Sequence, residues 1–214
     1  MQDRYYGDNR DLVKWGTLIE LARQYQVKHI LQVLYYRKNE WNQKERKHEW
    51  GPIEIHGDNV FIAEIAEEVI RHFRDVNLIR SLKLSVSIEV LNEEFVDPNT
   101  YHEYVIAEIN ARSNKPGIVF LDPDTGLEPP SGKHDLTHVR DRELKAIWDS
   151  LTTDDMLVFY QHETNKNGEP FIEPKIQQFA KAIGIQRERA KYAYAPMIAR
   201  DVAFFFAKKE CSSY

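Results

Sequence analysis

Apolar residues recur along the chain at helical spacing in several separate segments. Between residues 11 and 25 they stand three or four positions apart, as in Trp15, Leu18 and Ile19, which predicts an amphipathic helix. Asp58 is a candidate N-cap for a second helix. The predicted helices span residues 11–25, 58–75, 99–112, 141–151 and 173–183.

Short apolar or alternating runs between these helices predict strands. Those strands span residues 29–36, 84–90, 118–121, 156–160, 190–195 and 202–208. Strands that alternate with helices favour a mainly parallel sheet with helices on both faces. The last two strands have no helix between them, so we expect an antiparallel hairpin at the C-terminus. The predicted fold is α/β and Rossmann-like, and it resembles class I methyltransferases in shape, which does not fix the chemistry.

The length of 214 residues suits a single α/β domain covering residues 1–214. Residues 37–57 are charged and lack periodicity, which predicts a long insertion within that domain. We expect residues 38–56 to be the least ordered internal segment. The unbroken apolar run at 118–121 predicts a central strand covered on both faces.

Composition narrows the function classes. A net charge of −5 excludes a bulk attraction to nucleic acid or anionic membranes. The single cysteine, Cys211, excludes an internal disulfide framework and a cysteine-based zinc site. The N-terminal residues carry no apolar signal core, and no apolar run reaches the ~20 residues of a membrane span. These features predict a cytoplasmic protein without a membrane partner, and leave its oligomeric state open.

The central strand ends on two carboxylates, Asp122 and Asp124, which flank Pro123. Proline fixes φ and stops the ladder of hydrogen bonds, and Gly126 permits a positive φ just beyond. In open parallel sheets, ligands bind beyond the carboxyl ends of the strands. We therefore expect a stiff loop with two exposed acids that touch a ligand. Ordinary turn chemistry explains the same residues without a ligand.

The strand at 156–160 ends on Gln161, His162 and Glu163. One helix separates it from the preceding strand, so the two strand ends are expected to be neighbours. A histidine there can titrate near neutral pH or ligate a metal. Asp122, Asp124 and His162 are the candidate catalytic residues, and a surface loop with ordinary polar residues is the alternative.

Three blocks in the chain resemble an uncharacterised family of prokaryotic and phage-related proteins that carries an FLDPDxGL signature. The blocks lie around residue 7, at 120–127 and at 159–162. Their order matches that family along most of the chain. The resemblance implies no established activity.

A more distant resemblance is to the ribosomal RNA adenine methyltransferases of the large subunit, which begin with a Gly-x-x-x-Asp-x-x-Lys block. Gly7, Asp11 and Lys14 fall at the matching offsets, with Asp8 beside them. The resemblance implies that these four residues help to bind S-adenosylmethionine.

Those enzymes also carry an Asp-Pro-Pro-Tyr motif after their fourth strand, whose aspartate accepts a hydrogen bond from the target adenine amine. Here Asp122 and Pro123 match its first half, while Asp124 and Thr125 replace the second proline and the tyrosine. The aromatic residue that stacks on a flipped base is absent. The first strand is also not followed by the glycine-rich turn usual in methyltransferases, because the first downstream glycine is Gly51.

Two other functions compete with a methyltransferase-like one. In a metal-dependent nuclease or phosphoesterase, Asp122, Asp124 and Glu163 would hold Mg²⁺ or Mn²⁺. A non-catalytic Rossmann-like module would bind a nucleotide or a protein partner.

The insertion also carries a candidate nucleic-acid contact. Its basic residues are interleaved with Trp41 and Trp50, a mixture typical of nucleic-acid backbone and base contacts. Glutamates dilute that charge, so a solvated loop explains the same composition. The basic residues are Arg37, Lys38, Lys44, Arg46 and Lys47.

Overall fold

The computed structural model describes residues 9–37, 86–113, 115–129, 136–163 and 169–211, and everything below concerns these ranges. They contain four α-helices: α1 Asn9–Gln24, α2 Pro98–Ala111, α3 Asp141–Ser150 and α4 Ile172–Ile183. A short 3-10 helix spans Arg187–Arg189. The strands are β1 His29–Val33, β2 Ser87–Leu91, β3 Ile118–Leu121, β4 Gly126–Leu127, β5 His138–Val139, β6 Met156–His162, β7 Lys191–Ala193 and β8 Val202–Lys208.

Six strands form one sheet in the order β2-β1-β3-β6-β8-β7. Strands β2, β1, β3 and β6 are parallel, whereas β8 runs antiparallel to both of its neighbours. The C-terminal hairpin therefore closes the sheet by inserting β8 between β6 and β7. The predicted mainly parallel, Rossmann-like fold is confirmed, and so is the central place of β3 between β1 and β6.

Helices cover both faces of the sheet. Helix α1 packs on one face, where Leu18 meets Ile30 and Phe120 in one apolar cluster. Helices α2, α3 and α4 cover the other face, where Val105 and Phe179 pack in a second cluster. Neighbouring residues of β3 enter opposite clusters, as the alternation of side chains along a strand requires.

Local sequence signals set several element ends. The Asp97 carboxylate caps α2 by accepting a hydrogen bond from the Thr100 amide at 2.8 Å, and Pro98 occupies the first turn. Helix α4 ends on Gly184, whose φ of 74° is a left-handed conformation that glycine adopts without strain. In the described ranges, no helix is long and apolar enough to cross a membrane.

The first strand is shorter than predicted. It stops at Val33, and Tyr35 adopts a positive φ of 48° instead of continuing the extended chain to residue 36. Beyond it, Tyr36 pairs with Glu94 only as an isolated bridge. The predicted helix at 58–75 and the insertion at 38–57 lie outside the described residues.

Candidate functional site

A cluster of four polar side chains lies under α1, at the carboxyl ends of β1 and β3. The Lys14 ammonium contacts Asp11 Oδ1 at 2.5 Å and Asp122 Oδ2 at 2.8 Å. Gln32 Nε2 donates to the same Asp122 Oδ2 at 2.9 Å. None of the four residues is more than 2% exposed. The sheet order reverses between β1 and β3, and such switch points are where open α/β sheets bind ligands.

The local sequence explains why these side chains meet. Asp11 and Lys14 stand three residues apart on α1, so they share one face of the helix. The Asp122 amide donates to the Val33 carbonyl at 2.9 Å, which extends the β3 ladder by one residue. Asp122 therefore follows Ile118 and Phe120 onto the face that α1 covers.

In the described contacts of the cluster, the carboxylates of Asp11 and Asp122 both face the ammonium of Lys14. Burial by itself would lower the pKa of Lys14, but the charges of Asp11 and Asp122 outweigh burial, and the pKa is raised well above its ordinary value of 10.5. Lys14 therefore remains an ammonium at neutral pH.

Two acceptor oxygens in this cluster lack a protein donor. Both contacts to Asp122 use Oδ2, and no described hydrogen bond uses Oδ1. Gln32 Oε1 is buried without a hydrogen-bond partner. Buried polar atoms are nearly always paired in native proteins, and those that are not need an explanation.

The expectation that both acids of the loop are exposed is wrong. Asp122 is 2% exposed, since α1 brings the Lys14 ammonium over it. Asp124 forms an ion pair with Arg37, and its side chain is only 16% exposed. Each carboxylate thus holds its own cation, and the two point to different partners.

His162 belongs to a different group of side chains. Its Nε2 lies 3.2 Å from Asp201 Oδ2, which also forms an ion pair with Arg10. The hydrogen bond from His162, followed by that from Arg10, holds the pKa of the Asp201 carboxyl well below its usual range. His162 Nδ1 lies 2.7 Å from the Glu163 carbonyl oxygen. The described contacts do not connect His162 with Asp122 or Asp124.

The loop after Asp124 is clamped by Gln161, a fully buried residue of β6. Its Oε1 accepts from the Leu127 amide at 2.9 Å, and its Nε2 donates to the Thr125 carbonyl at 3.2 Å. Lys175 of α4 adds a second clamp by donating to the carbonyls of Leu127 and Glu128, each at 3.0 Å. The loop that carries the two acids is therefore fixed by side chains of β6 and α4.

Gly126 is required at the centre of this clamp. Its φ is 114°, and an added Cβ would lie 2.5 Å from Gln161 Oε1. We expect Gly126→Ala to lower the free energy of unfolding by about 2–4 kcal/mol, through backbone strain and the displaced Gln161 amide. Urea unfolding followed by circular dichroism measures this effect.

Gly184→Ala is the matched control, because Gly184 also has a positive φ but its added Cβ would lie 3.6 Å from the nearest side-chain atom. We expect a loss of only about 1 kcal/mol for this variant. Equal losses in the two variants would mean that Gln161 does not clamp the loop.

Tyr35 follows β1 in a left-handed backbone conformation, with a φ of 48°. Its positive φ is the conformation that glycine supplies most easily, and it costs a tyrosine roughly 1–2 kcal/mol. Two contacts hold it there: its amide donates to the Tyr101 hydroxyl at 3.1 Å, and its own hydroxyl lies 3.2 Å from His102 Nε2. The chain thus makes a left-handed turn after β1 with a tyrosine instead of a glycine. Such backbone strain often accompanies functional sites.

Several residues of the site were not predicted from the sequence. Gln32 was visible as a polar residue inside an apolar run, whereas Arg10 and Asp201 gave no signal because 191 residues separate them. Gly7, Asp8, Lys38, Lys44, Arg46 and Lys47 lie outside the described residues, so their predicted roles stay predictions.

The described residues contain no group of three metal-ligating side chains. Asp122 and Asp124 are held by Lys14 and Arg37, respectively, and the described contacts of Glu163 are made by its backbone. This part of the chain therefore gives the predicted Mg²⁺ set no support.

Comparisons with known proteins give little beyond the fold. No protein-family model matches the chain. No curated protein matches it either. The predicted membership in a phage-related FLDPDxGL family therefore has no support.

Two solved structures resemble the chain weakly. One is a protein from Thermobifida fusca that is provisionally named a methyltransferase, with 12% identity, a TM-score of 0.44 and coverage of 95% of this chain and 80% of the other. The second is a DUF574 family protein from Streptomyces avermitilis, with 9% identity, a TM-score of 0.40 and coverage of 94% and 82%. Likenesses this weak carry no argument about function, so the Rossmann-like, methyltransferase-like fold rests on the order and direction of the strands.

Proposed function

We propose that this protein binds S-adenosylmethionine and transfers its methyl group to an acceptor that bears an N–H group. The observation that carries the proposal is the buried cluster of Asp11, Lys14, Gln32 and Asp122 at the switch point of the sheet. It brings together two regions that resemble methyltransferase motifs, the block on α1 and the Asp122-Pro123 end of β3.

The residues fit this cofactor in charge and in hydrogen bonding. S-adenosylmethionine carries a net positive charge, and the cluster contains the carboxylates of Asp11 and Asp122. The cofactor also has an ammonium group, which can supply the donor that Gln32 Oε1 lacks. The left-handed turn at Tyr35 keeps the backbone shape that usually lets a cofactor approach the end of β1.

When bound, S-adenosylmethionine supplies the methyl group on its sulfonium sulfur. Asp122 has the geometry to orient the acceptor, since Lys14 and Gln32 fix its Oδ2 and leave Oδ1 to accept the N–H hydrogen bond. An acceptor N–H group held by Asp122 Oδ1 would receive that methyl group and would lose its proton to solvent. Lys14 and Gln32 hold Asp122 Oδ2 in place for this step.

Isothermal titration calorimetry with S-adenosylmethionine and S-adenosylhomocysteine tests the proposal. We expect both ligands to bind with dissociation constants in the micromolar range, and a thermal-shift assay to show stabilisation of the folded protein. Mg²⁺ and adenosine triphosphate serve as comparison ligands for the alternative functions. Absence of binding by both adenosyl ligands at millimolar concentration would refute the proposal.

Nucleic acid as the acceptor rests on the sequence alone. Of the five basic residues in the predicted contact, only Arg37 is described, and it is paired with Asp124. The missing stacking residue at Thr125 argues against adenine held as in the ribosomal RNA enzymes. An amine outside a nucleobase fits the site equally well.

A further inference from the structure

Two buried polar atoms at the same edge of the sheet have no hydrogen-bond partner. One is the acceptor Gln32 Oε1 on β1, and the other is the donor Nε of Arg37, five residues farther along the chain. A buried polar atom left unpaired costs about 1–3 kcal/mol, so a ligand that pairs both atoms would gain from each of them.

Residues 122–124, which we call the acid loop, contact both of these side chains. Gln32 Nε2 donates to Asp122, and the Arg37 guanidinium forms an ion pair with Asp124. Only Pro123 separates the two carboxylates, and two residues of extended chain span at most about 7 Å. Gln32 and Arg37 therefore flank the same short stretch, one on each acid.

An unpaired acceptor beside an unpaired arginine donor complements a zwitterion. An α-amino acid group supplies an ammonium for the glutamine oxygen and a carboxylate for the guanidinium, whose planar donors suit carboxylates. Asp122 adds negative charge on the ammonium side. A phosphate group would satisfy the arginine but brings no cationic donor to Gln32 Oε1.

We infer that Gln32 and Arg37 form a subsite for the amino-acid end of S-adenosylmethionine, an inference that rests on the proposed function. The Arg37–Asp124 ion pair is partly exposed, with side chains 24% and 16% exposed, whereas Gln32 is fully buried. The ligand enters as Arg37 exchanges part of its contact with Asp124 for the ligand carboxylate. The adenosine part of the cofactor takes no role in this subsite.

The test compares S-adenosylhomocysteine with 5′-methylthioadenosine, which shares the adenosine and the uncharged sulfur but lacks the amino-acid group. Calorimetry on the full chain should show at least roughly tenfold tighter binding of S-adenosylhomocysteine. In Arg37→Met and in Gln32→Leu, the preference should fall to within about threefold, with methylthioadenosine affinity nearly unchanged.

Asp124→Asn is the matched control for Arg37→Met, because it removes the same ion pair but keeps the guanidinium. We expect this variant to retain the preference. Equal affinity of the wild type for both ligands, or an unchanged preference in Arg37→Met, would overturn the subsite and leave the proposed function standing. Failure of both ligands to bind the wild type would refute the proposed function itself, and the subsite with it.

Discussion

Replacement of Lys14 by methionine is expected to lower the free energy of unfolding by about 3–5 kcal/mol. Lys14 is 2% exposed and lies between the carboxylates of Asp11 and Asp122. The methionine keeps much of the side-chain volume but removes the ammonium that contacts both buried carboxylates. Urea unfolding at pH 7.5 measures the loss, which is a large part of the 5–15 kcal/mol that stabilises an ordinary domain.

The stability lost in Lys14→Met should depend on pH in a defined direction. Because the pKa of Lys14 is raised above 10.5 in the folded protein, its stabilising contribution is fully present below that value and is lost only as the pH rises through the folded pKa. Between pH 5 and 9, the contribution of Lys14 to the free energy of unfolding of the wild type therefore stays constant. In the variant, buried carboxyls that have lost the Lys14 ammonium take up protons more readily, so the difference in stability should narrow as the pH falls from 8 to 5.

Lys145→Met is the control. Lys145 forms an ion pair with Asp149 on the surface of α3, with both side chains largely exposed, and such pairs contribute little. We expect the stability of this variant to stay close to that of the wild type at every pH. A Lys14→Met variant as stable as Lys145→Met would mean that the buried cluster does not support the fold.

The sequence predicted the strand on which the site lies better than it predicted the contacts between the side chains of the site. The apolar run of β3 and the proline after it correctly placed Asp122 at the end of a central strand. The expectation that Asp122 is exposed was wrong, because α1, an element distant in the chain, buries this side chain. The Gln32–Asp122 hydrogen bond likewise joins residues 90 positions apart, and no local pattern encodes such a contact.

His162 shows a second limit of local patterns. Its position after β6 was predicted from the sequence, and the structure places it there. Its partner Asp201 directly precedes β8 and also pairs with Arg10 of α1, and only the antiparallel return of β8 beside β6 brings Asp201 next to it. The order of strands in the closing hairpin, more than the motif itself, decides which acid the histidine meets.

Replacement of Asp122 by asparagine is expected to reduce methyl transfer by roughly 10²–10³-fold. The amide oxygen can replace Oδ2 toward Lys14 and Gln32, but the amide NH₂ then stands where Oδ1 would accept from the acceptor. Asp11 still compensates Lys14, so we expect a stability loss of only about 1–2 kcal/mol. The measurement is incorporation of labelled methyl groups from S-adenosylmethionine into the RNA, DNA and protein fractions of a cell extract.

Asp149→Asn removes a carboxylate of the exposed pair with Lys145 and should transfer methyl groups at the wild-type rate. Two roles are open to Asp122: it orients the acceptor, or it only stabilises the fold. Measurement of cofactor binding distinguishes between them. If Asp122 orients the acceptor, Asp122→Asn binds S-adenosylhomocysteine within about threefold of the wild type while transfer collapses. If Asp122 serves only the fold, transfer falls no further than the folded fraction does, and a variant that stays folded at the assay temperature keeps the wild-type rate.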